Sequence, residues 1–177
     1  MAKVFINPGH DPATLAGTDG YDPGACGCGL QENLVAADIG ALVAKYLEAA
    51  GCEVMLLQDE SLSGIVDASD DYGADVFVSI HCNAFNGEAH GTETHAYFNS
   101  ADGVELAECI NRQIVDSIDI VDRGVRTSGF YVIRWTAAPA VLVETAFIDN
   151  PGDAELLRTQ TDEFARAIAR GVTDYLG

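Results

Sequence analysis

Short apolar runs alternate along the chain with longer segments in which apolar residues recur every three or four positions. Six runs are predicted to be strands, and they cover residues 3–7, 53–57, 75–81, 92–98, 130–134 and 140–144. Helical spacing is present at residues 32–50, 61–72 and 103–118, and a terminal helix is expected from Asp153 through Val172. This alternation favours an α/β fold with helices on both faces of a sheet.

Two local features refine the prediction. The run Asp75–His81 is almost continuously apolar, which is typical of a central strand covered on both faces. Gly51 follows the first long helical segment, at a position where a left-handed cap is expected. No linker composition interrupts the series. The sequence therefore predicts one domain over residues 1–177, with a mixed, mostly parallel twisted sheet of about six strands.

Composition narrows the possible partners. The 177 residues are 48% hydrophobic and 21% charged, the balance of a soluble globular protein. The formal net charge is −19, and a field of that sign repels nucleic-acid phosphates and anionic lipid surfaces. No stretch approaches the roughly 20 apolar residues needed to cross a bilayer. We therefore expect neither a nucleic-acid partner nor membrane insertion. The first apolar run is too short for a secretory signal, so no export route is indicated.

The five cysteines are odd in number and irregularly spaced, which does not indicate a disulfide framework. Cys26 and Cys28 differ from the others because they lie in a glycine-rich loop. A Cys-x-Cys pair could bind a metal or pair with another thiol, but by itself it is a weak signal. Both roles stay open at this point.

Three potential metal ligands stand next to strands or at a helix start. His10 follows the first strand, His81 ends the central strand and Glu32 begins the first long helix. Sites in open α/β sheets collect at the carboxyl ends of strands, so the two histidines are expected on one rim. Two histidines and a carboxylate suit a hydrolytic zinc site that keeps a fourth position for water.

Structural explanations remain for each of these residues. Either histidine could be a hydrogen-bonded structural residue, and the helix dipole alone favours Glu32 at a helix start. Glu144 is harder to explain structurally, since it ends the apolar strand Ala140–Val143. Burying such a carboxylate is costly unless something pairs with it, and a functional role is therefore a candidate.

Several segments together resemble the zinc-dependent N-acetylmuramoyl-L-alanine amidase family, the catalytic domains of autolysins and phage endolysins. The similar segments are residues 4–10, 29–33, 75–84 and 139–150, with Arg123-Gly124-Val125 preceding the last. They occur in the family's order and span nearly the whole chain. Three features depart from the family pattern: residues 63–67 contain no arginine, Ala146-Phe147 replaces the frequent Gly-Phe, and Cys26 and Cys28 are not usual.

The resemblance implies a function and a site. One Zn²⁺ per chain would be held by His10, Glu32 and His81, and Glu144 would take the proton of the attacking water. The implied reaction is hydrolysis of the amide between N-acetylmuramic acid and L-alanine in peptidoglycan, which places the activity at the bacterial cell wall. A zinc peptidase of the stem peptide and a non-catalytic wall-binding module remain alternatives.

Two further histidines, His90 and His95, are expected to be surface or strand residues and not zinc ligands. The sequence indicates neither an oligomeric state nor the peptidoglycan chemotype.

Overall fold

A computed structural model describes residues 1–59 and 61–177. Its centre is a six-stranded sheet, and a separate two-stranded hairpin is formed by β2 (Cys26–Gly27) and β3 (Leu30–Gln31). The strands of the large sheet are, in spatial order, β4 (Glu53–Leu56), β1 (Lys3–Pro8), β5 (Val76–Asn83), β8 (Ala140–Phe147), β6 (Thr92–Tyr97) and β7 (Asp122–Ser128).

All neighbouring strands of the large sheet are parallel except β6 and β8, which are antiparallel. The last two strands in the spatial order, β6 and β7, therefore run against the other four. The prediction of a mixed, mostly parallel sheet of six strands in a single α/β domain is confirmed.

Helices cover both faces of the sheet. They are α1 (Glu32–Ala49), α2 (Leu62–Tyr72), α3 (Ala101–Ser117), α4 (Tyr131–Trp135), α5 (Pro151–Thr159) and α6 (Thr161–Leu176), with a single 3₁₀ turn at Ala13–Leu15. One face packs α1, α3 and α6 against side chains such as Val78 and Val141. The other face carries Phe5, Phe77 and Leu142 under α2 and α4. Among the helices described, none is long and apolar enough to cross a membrane.

The helix starts and stops follow local chemistry. Ser61 precedes α2 and its side chain accepts a hydrogen bond from the Gly64 amide, which satisfies one of the free N–H groups of the first turn. Gly51 follows the end of α1 with a φ of +92°, as the sequence predicts.

The strand predicted at residues 130–134 is wrong, because these residues form most of α4. The segment is rich in aromatic and β-branched residues, which favour strands by composition. However, Val132 and Ile133 are adjacent in sequence and both buried, while Tyr131 and Arg134 are exposed. This arc of buried positions is helical and not alternating, and it packs against the sheet face that carries Phe77 and Leu142.

The sixth strand is instead β7, which the sequence analysis missed. β7 pairs with β6 alone and lies at the edge of the sheet. Its sequence, Asp-Arg-Gly-Val-Arg-Thr-Ser, has no apolar alternation because none of its residues is fully buried. Charged side chains on an edge strand also discourage pairing with another chain.

The terminal helix is two helices and not one. The chain breaks at Gln160, whose φ of −122° and ψ of 26° are not helical. The first of the two, α5, begins earlier than predicted, since Asn150 caps it through the amides of Gly152 and Asp153 and Pro151 occupies its first turn.

Candidate active site

The carboxyl ends of β1, β5 and β8 bring the four predicted residues to one rim of the sheet. His10 follows β1, His81 and Glu144 lie on β5 and β8, and Glu32 is the first residue of α1. One ligand atom from each of His10, Glu32 and His81 lies within 4.8 Å of the others, so the three residues could hold a metal ion. Ligands of a tetrahedral zinc ion at about 2.0–2.2 Å would be roughly 3.5 Å apart, so small side-chain adjustments suffice.

Glu32 lies at the centre of this group. Its Oε2 atom is 3.0 Å from His10 Nε2 and its Oε1 atom is 2.9 Å from His81 Nδ1. The amides of Ala25 and Cys82 also donate to this carboxylate, at 2.7 and 3.0 Å. Burial raises the pKa of Glu32, but the two histidines outweigh burial and hold it well below its usual range. The carboxylate is therefore fixed in position and ionised, as a metal ligand must be.

His10 is oriented by Asp22. Asp22 Oδ2 lies 2.9 Å from His10 Nδ1, and the Gly24 amide donates to the other carboxylate oxygen at 2.9 Å. Because Asp22 accepts the Nδ1 proton, Nε2 is the ring nitrogen that faces Glu32, and a metal would bind there in place of the Nε2 proton. Burial lowers the pKa of His10, but Glu32 and Asp22 together raise it to about 9.

His81 is oriented in the opposite sense. Its Nε2 atom is 3.1 Å from Ser79 Oγ, which itself donates to Asn7 Oδ1 at 2.8 Å. The Asn7 amide nitrogen is engaged by the carbonyls of Pro8 and Leu57, so its Oδ1 atom is the acceptor. With its proton given to Asn7, the Ser79 hydroxyl accepts from Nε2–H. His81 Nδ1 is therefore the nitrogen available to a metal.

Two glycines allow the loops to approach this group closely. A Cβ atom built on Gly9 would lie 2.2 Å from His81 Cε1. A Cβ atom on Gly24 would lie 2.4 Å from His10 Cδ2 and 2.6 Å from Glu32 Oε2, and Gly24 has a φ of +70°. Any side chain at either position would displace a potential ligand.

Glu144 lies next to His81 on the neighbouring strand and so beside the candidate metal group, which is His10, Glu32 and His81. It pairs in register with His81 of β5 on one side and with Glu93 of β6 on the other. Its Oε2 atom is buried and has no hydrogen-bond partner among the residues that the structure describes. Burial, and then repulsion by Glu32 and Glu93, raise the pKa of Glu144 to about 8. A carboxyl group in this state can take up and release a proton near neutral pH.

A cleft of about 360 Å³ opens over the two histidines. Its polar side includes His10, His81 and Asp22. Its apolar side is formed by α2, α4 and the strands beneath them, through Leu62, Ile65, Phe130, Tyr131, Val132 and Leu142. The α4 helix, predicted to be a strand, is therefore a wall of the cleft.

A second polar cluster lies on the same sheet face, beyond Glu144. Glu93 is buried and accepts hydrogen bonds from Arg123 Nε at 2.8 Å, Asn83 Nδ2 at 3.1 Å and His95 Nε2 at 3.2 Å. Arg126 Nε lies 3.5 Å from the same carboxylate. His95 also contacts the ring of Phe130, with 5.2 Å between the ring centroids. Burial lowers the pKa of His95, which therefore bonds Glu93 as a neutral ring.

Sequence reasoning missed Asp22, Ser79 and the residues around Glu93. The spacing of Glu93 and His95, two apart on a strand, is a signal that could have placed both on one face of the sheet. Cys26 and Cys28 are exposed free thiols on the hairpin; Cys28 Sγ lies 3.6 Å from the carbonyl oxygen of Asp149. The exposed His90 contacts the Glu88 carbonyl.

Comparison with known proteins gives consistent matches over nearly the full chain. The family described as N-acetylmuramoyl-L-alanine amidase matches residues 4–174. A sporulation-specific N-acetylmuramoyl-L-alanine amidase of Bacillus subtilis is 35% identical over 97% of this chain, which spans 65% of that relative's length. Another relative, the amidase LytC of B. subtilis, is 37% identical, and the chain spans 35% of its length.

A solved structure agrees with this assignment. The N-acetylmuramoyl-L-alanine amidase AmiC2 of Nostoc punctiforme matches with a TM-score of 0.88 and 35% identity, covering 99% of this chain and 97% of that one. The fold, the order of the segments and the extent of the family match agree, and this chain belongs to the N-acetylmuramoyl-L-alanine amidase family.

Proposed function

We propose that this protein hydrolyses the amide bond between N-acetylmuramic acid and L-alanine in bacterial peptidoglycan, using one Zn²⁺ per chain. The ion would be held by His10 Nε2, His81 Nδ1 and the Glu32 carboxylate. The observation that carries the proposal is the opposite orientation of the two histidines. Asp22 engages Nδ1 of His10 and Ser79 engages Nε2 of His81, so the other nitrogen of each ring faces Glu32, and all three side chains converge on one point.

The donor set fits zinc in a hydrolytic site. Two imidazoles and one carboxylate leave a fourth position for water. The ligands carry a single negative charge, so a site that holds Zn²⁺ has a net positive charge. When bound, the ion would acidify a water molecule and polarise the scissile carbonyl.

Glu144 carries the proton in this account. Two observations support this role: Glu144 is in register with His81 on the adjacent strand, and its buried Oε2 atom has no partner among the described residues. Glu144 would accept a proton from the attacking water and deliver it to the leaving amine. A nearby cation favours its ionised form, which is the form that accepts a proton.

The rest of the chain's contribution is to bind and orient the substrate. The cleft offers apolar side chains of α2 and α4 opposite His10 and His81, and these would help to exclude water once substrate fills the cleft. The presence of Glu144 argues against a non-catalytic wall-binding module, which needs no acid–base residue. We place the activity at the bacterial cell wall, where its substrate lies.

Product analysis of purified murein tests the proposal. Zinc-loaded protein should release stem peptides that carry a new N-terminal alanine, detected by mass spectrometry after terminal labelling. A new terminus at another residue would make the protein a peptidase of the stem peptide. Binding to murein without release of any product would favour a wall-binding module.

A further inference from the structure

Arg126 differs from the other cationic residue of the Glu93 cluster in how its guanidinium group is used. Arg123 donates through Nε to Glu93 and through Nη1 to the His90 carbonyl, and its guanidinium group stacks 4.8 Å from the centroid of Phe147. Arg126 contacts Glu93 through Nε alone, at 3.5 Å, and its side chain is 50% exposed. Its two terminal nitrogens have no hydrogen-bond partner among the residues that the structure describes.

The strand register places Arg126 on the face of the sheet that carries the active site. Arg126 pairs with His95, which pairs with Leu142 of the cleft. The preceding residue, Val125, packs on the opposite face with α1, α3 and α6. His95 also contacts Phe130, which lines the cleft. Arg126 therefore lies on the same sheet face as the cleft, on the edge strand three strands away from His81, although it is not one of the residues that line the cleft.

The Glu93 cluster contains more cationic than anionic side chains. Two guanidinium groups, those of Arg123 and Arg126, share the single carboxylate of Glu93. Cationic residues are scarce in this protein, with nine against 28 acidic residues. An anionic ligand that approaches a molecule with a net charge of −19 is repelled except where positive charge is concentrated locally.

We propose that Arg126 binds a carboxylate of the leaving stem peptide, on the second residue after the scissile amide, and so determines substrate specificity. This inference rests on the proposed function. The two terminal nitrogens of the Arg126 guanidinium group form a fork that matches a carboxylate.

The spacing agrees with this assignment. Strands are about 4.8 Å apart, and Arg126 is in register with Leu142, two residues before Glu144, so the backbone positions of Arg126 and Glu144 are about 12 Å apart. Two extended peptide residues span about 7 Å, and the length of the arginine side chain closes the remainder. The first residue of the leaving peptide, alanine, has no side-chain carboxylate to offer. The second residue carries the first carboxylate that can reach Arg126.

Two substrates that differ in one group test this specificity. Both are muramyl tripeptides. In one, the second residue carries a free α-carboxylate, and in the other this group is a carboxamide. All remaining carboxyl groups are blocked as amides in both substrates. The wild type should have a kcat/KM about tenfold higher for the carboxylate substrate at low salt, mainly through KM, because a charge-assisted bidentate contact is lost with the amide. The preference should shrink as salt screens the exposed arginine.

Arg126→Gln should abolish this preference, because kcat/KM should fall much further for the carboxylate substrate than for the carboxamide substrate. Arg112→Gln is the matched control, since Arg112 is also an exposed arginine with one long ionic contact, 3.8 Å to Asp174, on the helical face. It should keep the tenfold preference.

Three results would overturn the inference: equal turnover of both substrates by the wild type, a preference that survives Arg126→Gln, or an equal loss on both substrates in that variant. The last would give Arg126 a structural role through Glu93. If the wild type cleaves neither tripeptide nor murein, the proposed function fails and the inference fails with it. Cleavage of murein and of both tripeptides without preference would remove the inference alone.

Discussion

His81 and Glu144 lie directly opposite each other on the adjacent parallel strands β5 and β8. The pairing is part of the sheet's hydrogen-bonded register, so the distance between these two backbone positions is fixed by the core and not by a loop. Side chains that must act on the same water molecule benefit from such rigid support. This relationship is the structural basis for treating Glu144 as the proton carrier beside a metal held by His81.

The first prediction concerns the metal. Purified protein should contain about one zinc per chain, and His81→Ala should leave it substoichiometric because a three-ligand site has no spare ligand. Elemental analysis of dialysed samples measures this. Changing Cys26 and Cys28 together to serine is the control and should not alter the zinc content. Zinc that falls in the serine variant but not in His81→Ala would move the site to the hairpin.

The second prediction concerns Asp22, which engages Nδ1 of His10. Asp22→Asn removes the charge that holds this proton and should weaken zinc affinity about 10- to 100-fold, as changes behind a metal ligand generally do. Competition with a chromophoric chelator gives the affinity. Asp19→Asn changes an exposed residue of the same loop and should bind zinc like the wild type. Equal affinities in all three proteins would show that Asp22 does not orient a ligand.

The third prediction separates close packing from backbone strain. Gly24 and Gly17 both have positive φ, at +70° and +87°, so alanine should cost about 1–2 kcal/mol of folding stability at either position. Only at Gly24 would the new Cβ meet His10 and Glu32; at Gly17 nothing lies within 4 Å. Gly24→Ala should therefore also lose zinc and activity, whereas Gly17→Ala should keep both. Thermal unfolding and zinc content, measured on the same samples, distinguish the two effects.

The sequence predicted that His10, Glu32 and His81 lie together, because these residues stand in recognisable segments, and the structure brings them within 4.8 Å of one another; their role as metal ligands stays a prediction. Asp22 and Ser79 could not be found in the same way, because their role depends on which ring nitrogen each one faces. The sequence also predicted a strand at residues 130–134 and did not reveal the strand β7, because composition and apolar alternation were misleading at both places. The first segment has strand-like composition but packs as a helix over the cleft, and the second is an edge strand without apolar alternation.

The fourth prediction uses the raised pKa of Glu144 in chelator-treated protein. The folded-state pKa is about 8 against 4.5 for the free side chain, so between these values the unfolded chain loses its proton first. Folding stability from this group is therefore fully present below pH 4.5 and falls as pH rises toward 8, by at most about 1.4 kcal/mol per pH unit. Glu144→Gln cannot titrate and should lack this fall.

Chemical denaturation of both metal-free proteins from pH 5 to 8 measures this difference, because both proteins keep His10 and Glu32 and differ only in the group at position 144. The unfolding free energy of Glu144→Gln minus that of the wild type should increase as pH rises. A constant difference would mean that Glu144 is not held in an unfavourable environment. Adding zinc should reduce the slope for the wild type, since the cation stabilises the ionised carboxylate.

The most direct test of the account compares wild type and Glu144→Gln on the same purified murein, with zinc content and thermal stability measured on the same samples. Glutamine keeps the shape of the side chain and removes the proton acceptor. We predict that the variant folds, holds about one zinc per chain, and releases peptides with new N-terminal alanine about 10²–10⁴-fold more slowly. A variant that keeps near-normal turnover, or one that loses zinc or unfolds, would contradict the catalytic role of Glu144.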